Sequence, residues 1–288
     1  PENYGKKFYG PSTFRKGIEY SRNLMTVRIA KILGLKKILE LSKQLNIYDE
    51  IPELLSVSLG AAETTLINLT AAYAPFVNGG KKIEPSLISR IQDRRGKTIF
   101  QVENRKCLRC DRFIENSNEL PEIKNTNVQV FSEETAYQMV TILNGAVKRG
   151  TAKKLRSLNV PLGGKTGTTN DNFDAWFIGF SSDLVIGVYI GFDNPKTLGK
   201  YETGSKAALP VFKNFVENAM FKEDFRDFKI PQNIYLTSLN YDTGLKSAEG
   251  EKNIIIEALK KEDINSIDNN NLISINGRDR TIKFRQFY

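Results

Sequence analysis

The run Gly164-Lys165-Thr166-Gly167-Thr168-Thr169-Asn170-Asp171 leads directly into Asp174-Ala175-Trp176-Phe177-Ile178-Gly179-Phe180. After Ser181-Ser182-Asp183 comes Leu184-Val185-Ile186-Gly187-Val188-Tyr189-Ile190. Apolar and β-branched residues dominate both later runs, and the serine-aspartate step between them is a turn signal, so this part of the chain reads as three consecutive strands. Alternate residues of a strand point the same way, which puts the hydroxyls of Thr166 and Thr168 on one face. Lys165 adds a fixed positive charge, and Gly167 is read as keeping the threonine face open to an extended substrate backbone. Together these residues suit the binding of a carboxylate.

The main rival for Lys165 is a phosphate loop, because Gly164-Lys165-Thr166 matches the end of G-x-x-x-x-G-K-[ST]. That pattern needs glycine at position 159, where the chain has Asn159, and it must open a helix rather than a strand. Nucleotide binding is therefore set aside. Taken alone, Lys-Thr-Gly would be an ordinary strand start with a solvated lysine; the longer run argues otherwise.

Composition narrows the chemistry further. The chain of 288 residues has no histidine, which excludes Ser-His-Asp and Cys-His catalysis and histidine metal sites built from this chain. A general base has to be Lys, Asp, Glu or Tyr. The net charge of +9 raises nucleic acid as a partner. The basic pairs are scattered, however, and neither a helix-turn-helix signature, a ribonucleoprotein aromatic motif nor zinc-finger spacing is present. A basic surface near an anionic cell wall or membrane fits better. No apolar run reaches 18 residues, so no segment of this chain reads as a membrane span, and the opening Pro1-Glu2-Asn3-Tyr4-Gly5 reads as the interior of a longer protein. No cofactor or metal is expected. The two cysteines, Cys107 and Cys110, are too few for zinc and lack a thioredoxin-like context. A local disulfide or a pair of exposed thiols remains, the disulfide being favoured in an oxidising compartment.

Along the chain, a short helix is expected from about Ser12, a buried helix over Leu24–Leu33 stopped by Gly34, and a helix over 35–46. Further helices are expected over Glu63–Val77, from the Ser132 cap to about Lys148, and over Leu209–Met220. A strand pair is expected within 83–103, turning at Asp93-Arg94-Arg95-Gly96. Residues 104–130 read as a projecting loop. The segment Ile234–Gly244 reads as a small hairpin, and the tail from about Lys260 as disordered apart from a stray strand at Leu272–Ile275. The domain division is 1–228, then a small β extension at 229–260, then the tail 261–288.

Ser21-Arg22-Asn23 supplies a Ser-x-Asn that gains meaning beside the Lys165 run. With Ser58–Glu63, Tyr73–Gly80, Arg149-Gly150-Thr151-Ala152, Glu202-Thr203-Gly204 and Ala207–Pro210, the order resembles the C-terminal part of class A penicillin-binding proteins, the bifunctional murein synthases of the 1A type. The resemblance covers roughly residues 1–260 and implies an α+β penicillin-binding/β-lactamase-like fold, an antiparallel sheet covered by helices, without its N-terminal portion. It also implies an active-serine DD-transpeptidase acting on D-Ala-D-Ala stem peptides of peptidoglycan, inhibited by β-lactams, at the periplasmic face of the bacterial inner membrane, among cell-wall synthesis partner proteins. Ser21 would relay a proton to the leaving amine, and Asn23 would hold the acyl amide and steady the catalytic lysine. Lys165, Thr166 and Thr168, with Gly167 and Thr169 beside them, would bind the terminal carboxylate, and the Thr168 N–H would form half of an oxyanion hole. The family's Ser-x-x-Lys does not occur in these 288 residues. Whether the chain alone is an enzyme is therefore open, the alternative being a non-catalytic scaffold that binds peptidoglycan or partner proteins. Ser205 stands where glycine is expected after Thr203-Gly204.

Overall fold

A computed structural model of the chain describes residues 2–48, 50–102, 105–108, 122–248 and 250–264. Helix α1 (Phe14–Glu19) starts at Thr13, whose hydroxyl accepts the Lys16 N–H. Helix α2 (Asn23–Leu33) ends at Gly34, with φ 86°, and α3 (Leu35–Gln44) follows at once. Only Ala30 of α2 is buried, so the expected buried helix is a half-covered one; it packs against a 3-10 turn at Leu55–Leu59 and against α1, most of its residues being half-buried. Helix α4 (Leu66–Val77) is capped by Thr65 and starts three residues later than the sequence suggests.

Strands β1 (Arg90–Gln92) and β2 (Thr98–Gln101) pair antiparallel across the expected Asp93–Gly96 turn, although Leu87-Ile88 lies outside the pairing. The expected loop at 104–130 contains a second strand pair, β3 (Arg105–Leu108) with β4 (Glu122–Asn125). Arg105-Lys106-Cys107-Leu108 shows no alternation of polar and apolar residues, so the strand period is hidden from sequence reading. Cys107 is exposed and disulfide-bonded; Cys110 and the Glu115–Asn118 run lie outside the described residues. Helix α5 (Glu133–Lys148) is capped by Ser132, with Glu133 and Glu134 in the first turn against the positive helix end, as its sequence indicates.

Next come β5 (Gly163–Thr168), β6 (Ala175–Phe180) and β7 (Val185–Ile190), an antiparallel sheet in the order β5-β6-β7. Helix α6 (Ala208–Ala219) follows. Strands β8 (Ile234–Asn240) and β9 (Ile254–Lys260) then pair over their full length, so the C-terminal β element is longer than the expected small hairpin; the Asn240–Gly244 turn is present and returns only as far as a bridge between Leu239 and Lys246. The segment Leu272–Ile275 lies outside the described residues.

The central strand β6 is buried on both faces. Phe177 meets the Phe212 ring of α6 at 4.9 Å, while Phe180 packs on Val140 and Leu143 of α5. Residues paired across antiparallel strands share a face. The register Lys165↔Ile178 and Thr166↔Phe177 therefore sends Lys165 to the α4–α5 face and Thr166 to the α6 face. The sheet core thus decides where each motif residue points.

Candidate active site

Ser21 is presented by an unusual turn. At the end of α1 the Ser21 N–H donates to the Ile18 carbonyl (3.1 Å) and the Arg22 N–H to the Gly17 carbonyl (2.8 Å). This is a Schellman closure with serine in the left-handed position, φ 52°, that glycine ordinarily takes. The left-handed backbone costs a β-carbon-bearing residue about 1–2 kcal/mol. Ser21→Gly is therefore expected to be more stable than Ser21→Ala by about 1 kcal/mol, since both lose the hydroxyl and only alanine keeps the strain. Urea denaturation of the two variants checks this.

Across from this turn, Lys165 on β5 donates its Nζ to Ser21 Oγ and, at 2.7 Å, to the Thr166 carbonyl. Burial lowers the Lys165 pKa from the usual 10.5 to about 8. An appreciable fraction of the amine is then neutral near pH 8, so the pair can pass a proton in either direction. A folded chain that binds fewer protons than the unfolded chain between about 8 and 10.5 gains stability as pH rises through that window. The stability of the wild type minus that of Lys165→Met is expected to increase from pH 8 to pH 10 in denaturant titrations; a flat difference would contradict the assignment.

The remaining motif residues divide. The Thr166 hydroxyl donates to Thr151 Oγ1 (3.0 Å), and Thr168 Oγ1 accepts the Gly204 N–H (3.0 Å). The two threonines do share one face. Gly167, paired with Trp176, lies on the opposite face with Lys165, so it does not open the threonine face as read from sequence. Its role is close packing, since a β-carbon there would sit 3.0 Å from Trp176 Cβ. Thr169 accepts the Asp174 N–H (2.7 Å) and shapes the β5–β6 connection. Asn23 opens α2, and its amide donates to the Glu2 carbonyl (3.0 Å) rather than turning to Lys165. The Thr203–Ser205 loop is pinned at Gly204, where a β-carbon would stand 2.4 Å from the carbonyls of both Gly167 and Trp176. Gly204→Ala is expected to push this loop off β5 and to cost about 1–3 kcal/mol, visible as a lowered Tm. Ser205 Oγ lies 3.0 Å from Thr203 Oγ1 within the loop.

A cavity of about 450 Å³ opens beside Ser21, with Tyr9, Tyr20 and Arg22 in its wall. The Arg22 guanidinium lies 4.1 Å over the Tyr9 ring, and its Nε is buried without a hydrogen-bond partner among the described residues. Those residues contain no group of three or more potential metal ligands and no helix long and apolar enough to cross a membrane.

The chain as a whole has known relatives. The family model described as "Penicillin binding protein transpeptidase domain" matches residues 2–217. The chain belongs to that family. Penicillin-binding protein 1A of Rickettsia conorii is 41% identical over 279 residues, covering 95% of this chain and 34% of that protein. The Pseudomonas aeruginosa protein of the same name is 30% identical, covering 91% of the chain and 36% of its own length. Thus the chain spans about a third of the curated relatives it matches. The crystal structure of penicillin-binding protein 1A from Haemophilus influenzae superposes with a TM-score of 0.74 at 30% identity, over 89% of this chain and 41% of that one. The fold is therefore the α+β penicillin-binding fold, an antiparallel sheet covered by helices.

The matched span of this transpeptidase-family chain contains Ser21, Asn23, the whole Lys165–Thr169 run and the Gly204 loop, while β8 and β9 lie beyond it. Sequence reading overlooked Thr151, which it met only as part of Arg149-Gly150-Thr151. It also missed the tie between Gly204 and Thr168. The usable signal was the occurrence of both segments in the same order as the Lys165 run; no local pattern marks their contacts.

Proposed function

We propose that this chain contributes the proton-relay and carboxylate-binding half of a serine DD-transpeptidase that cross-links peptidoglycan. The observation that carries the reading is the contact between Lys165 Nζ and Ser21 Oγ, formed by segments 144 residues apart. In this reading Ser21, paired with a lysine whose pKa is lowered by burial, passes a proton to the departing D-Ala amine. β5 pairs with β6 on one side, and among the described residues its other edge is available for an extended stem peptide to add as a strand. Lys165, Thr166 and Thr168 then meet the terminal carboxylate, with Gly167 and Thr169 holding the strand's shape. The Thr168 N–H supplies one oxyanion donor. Asn23 reaches the acyl amide once it exchanges the Glu2 carbonyl for substrate.

The acylated serine has to come from a segment bearing Ser-x-x-Lys, which these 288 residues do not contain. Stem peptides of peptidoglycan and β-lactams are the ligands, without cofactor, at the periplasmic face of the inner membrane and beside other cell-wall synthesis proteins. The proposal divides the chain into a transpeptidase portion to residue 228 and a β extension over 229–260; a family match ending at 217 and the pairing of β8 with β9 support that division.

The test is gel labelling with a fluorescent penicillin. The 288-residue chain alone should give no band that survives denaturation. A polypeptide extended upstream through a Ser-x-x-Lys helix, or the chain mixed with that helix-bearing fragment, should give one. A band from the chain alone would place the nucleophile among its own serines, and no band from the extended polypeptide would favour a non-catalytic scaffold.

A further inference from the structure

The turn that presents Ser21 is held from beneath by groups beyond the family match. Glu19, two residues before Ser21, is fully buried, at 0% exposure. Its Oε2 accepts the Tyr241 hydroxyl (2.6 Å) and Arg149 Nε (3.1 Å); its Oε1 accepts Arg149 Nη2 (2.6 Å) and faces Arg15 Nη1 at 3.4 Å. Arg15 in turn clamps both carboxylate oxygens of Glu257 through Nε and Nη2. Two carboxylates and two guanidiniums balance within this cluster. Tyr241 follows β8 and Glu257 lies on β9, whereas the family match stops at residue 217.

The same residue reaches the other half of the site. The Glu19 carbonyl accepts the Thr151 N–H (3.1 Å), and Thr151 Oγ1 accepts the hydroxyl of Thr166, the neighbour of Lys165. Both partners of the Ser21–Lys165 contact are therefore referenced to Glu19. Helix α1 has only six residues, too few to hold its own shape, and its last turn forces a serine into left-handed backbone. Such a conformation persists only where the surroundings over-determine it.

We propose that the β8–β9 hairpin is part of the active site, with Tyr241 and Glu257 acting through Glu19 and Arg15 as positioning residues that fix Ser21 opposite Lys165. The inference rests on the proposed transpeptidase role for its functional meaning, but its test needs no turnover.

Tyr241→Phe, Glu257→Gln and Glu257→Asp are made in the 288-residue chain. Hydrogen exchange is followed at the Ser21 and Arg22 amides that close the turn, with the β6–β7 amides as internal reference, and the Lys165 ammonium is followed by NMR. Tyr241→Phe and Glu257→Gln should speed exchange at Ser21 and Arg22 by about tenfold while the reference amides stay within about twofold. The Lys165 signal should move, and Glu257→Asp, which keeps the charge, should return both readouts toward wild type. Unchanged exchange at Ser21 and Arg22 would overturn the proposal. So would equal acceleration at every amide, which marks a merely structural role. If Tyr241→Phe does not fold, the Glu257 pair still decides. Failure here alongside positive penicillin labelling would refute the hairpin's role and leave the transpeptidase reading standing.

Discussion

Glu19→Ala is expected to destabilise the fold by about 3–5 kcal/mol, the usual result of removing one partner from a buried ion cluster. The magnitude follows from what would be left behind. Arg149 would lose both of its carboxylate bonds, and the Tyr241 hydroxyl its acceptor, in a place where a small side chain gives nothing in return. Glu19→Gln keeps the shape and some of the bonds, so it should cost less. The fit around the carboxylate is close enough that a β-carbon at Gly145 would stand 1.8 Å from Glu19 Oε1 and 2.5 Å from Arg149 Nη2. Gly145→Ala should therefore reproduce much of the Glu19→Ala loss without touching a charge. Urea midpoints for the three variants provide the check; a Glu19→Ala loss below about 1 kcal/mol would mean that water reaches the cluster and screens it.

The second large effect concerns acylation. In a polypeptide extended through a Ser-x-x-Lys helix, Lys165→Ala is expected to slow labelling by fluorescent penicillin by about 10²–10³-fold. The variant removes the charge proposed to meet the ligand carboxylate and, with it, the hydrogen-bond partner of Ser21. Lys165→Arg should not rescue the rate, because guanidinium stays protonated and presents a fork where the Ser21 hydroxyl needs a single point donor. Ser21→Ala should slow labelling too, but by less, since the Lys165 charge proposed to meet the carboxylate remains. If Lys165→Ala labels at the wild-type rate, the site assignment fails at its centre.

Much of this molecule could be read along the chain. Ser132 with Glu133 and Glu134, the Asp93–Gly96 turn and the β5–β6–β7 run are local signals, set by capping, turn chemistry and strand period. Each was legible because neighbouring residues decide it. The Lys165 run and Ser21-Arg22-Asn23 were recognisable as a pair for a related reason: their residue types and order carry the chemistry. Three-dimensional packing decided the rest. The period of a strand says that Thr166 and Thr168 share a face and that Lys165 takes the other; only pairing with Phe177 and Ile178, between α6 on one side and α4–α5 on the other, says which helix each will meet. That pairing turns Lys165 toward Ser21, while Gly167 falls on the lysine side by strand period alone. The left-handed backbone of Ser21 is equally silent in sequence, since serine does not announce a position that glycine would fill more cheaply. The meeting of Glu19, Arg149, Tyr241 and Glu257 gave no signal at all, although Arg149 stood in a recognised segment. Apart from the approach of Arg15 to Glu19 within α1, their partners lie 130 to 242 residues away, and a charge that is buried and balanced has the same letter as one that is solvated. Sequence alone determined the family, the strand and helix periods and the chemistry available to the site. The tertiary fold determined which charges leave water together, because burial is a property of the packed chain and not of any residue in it.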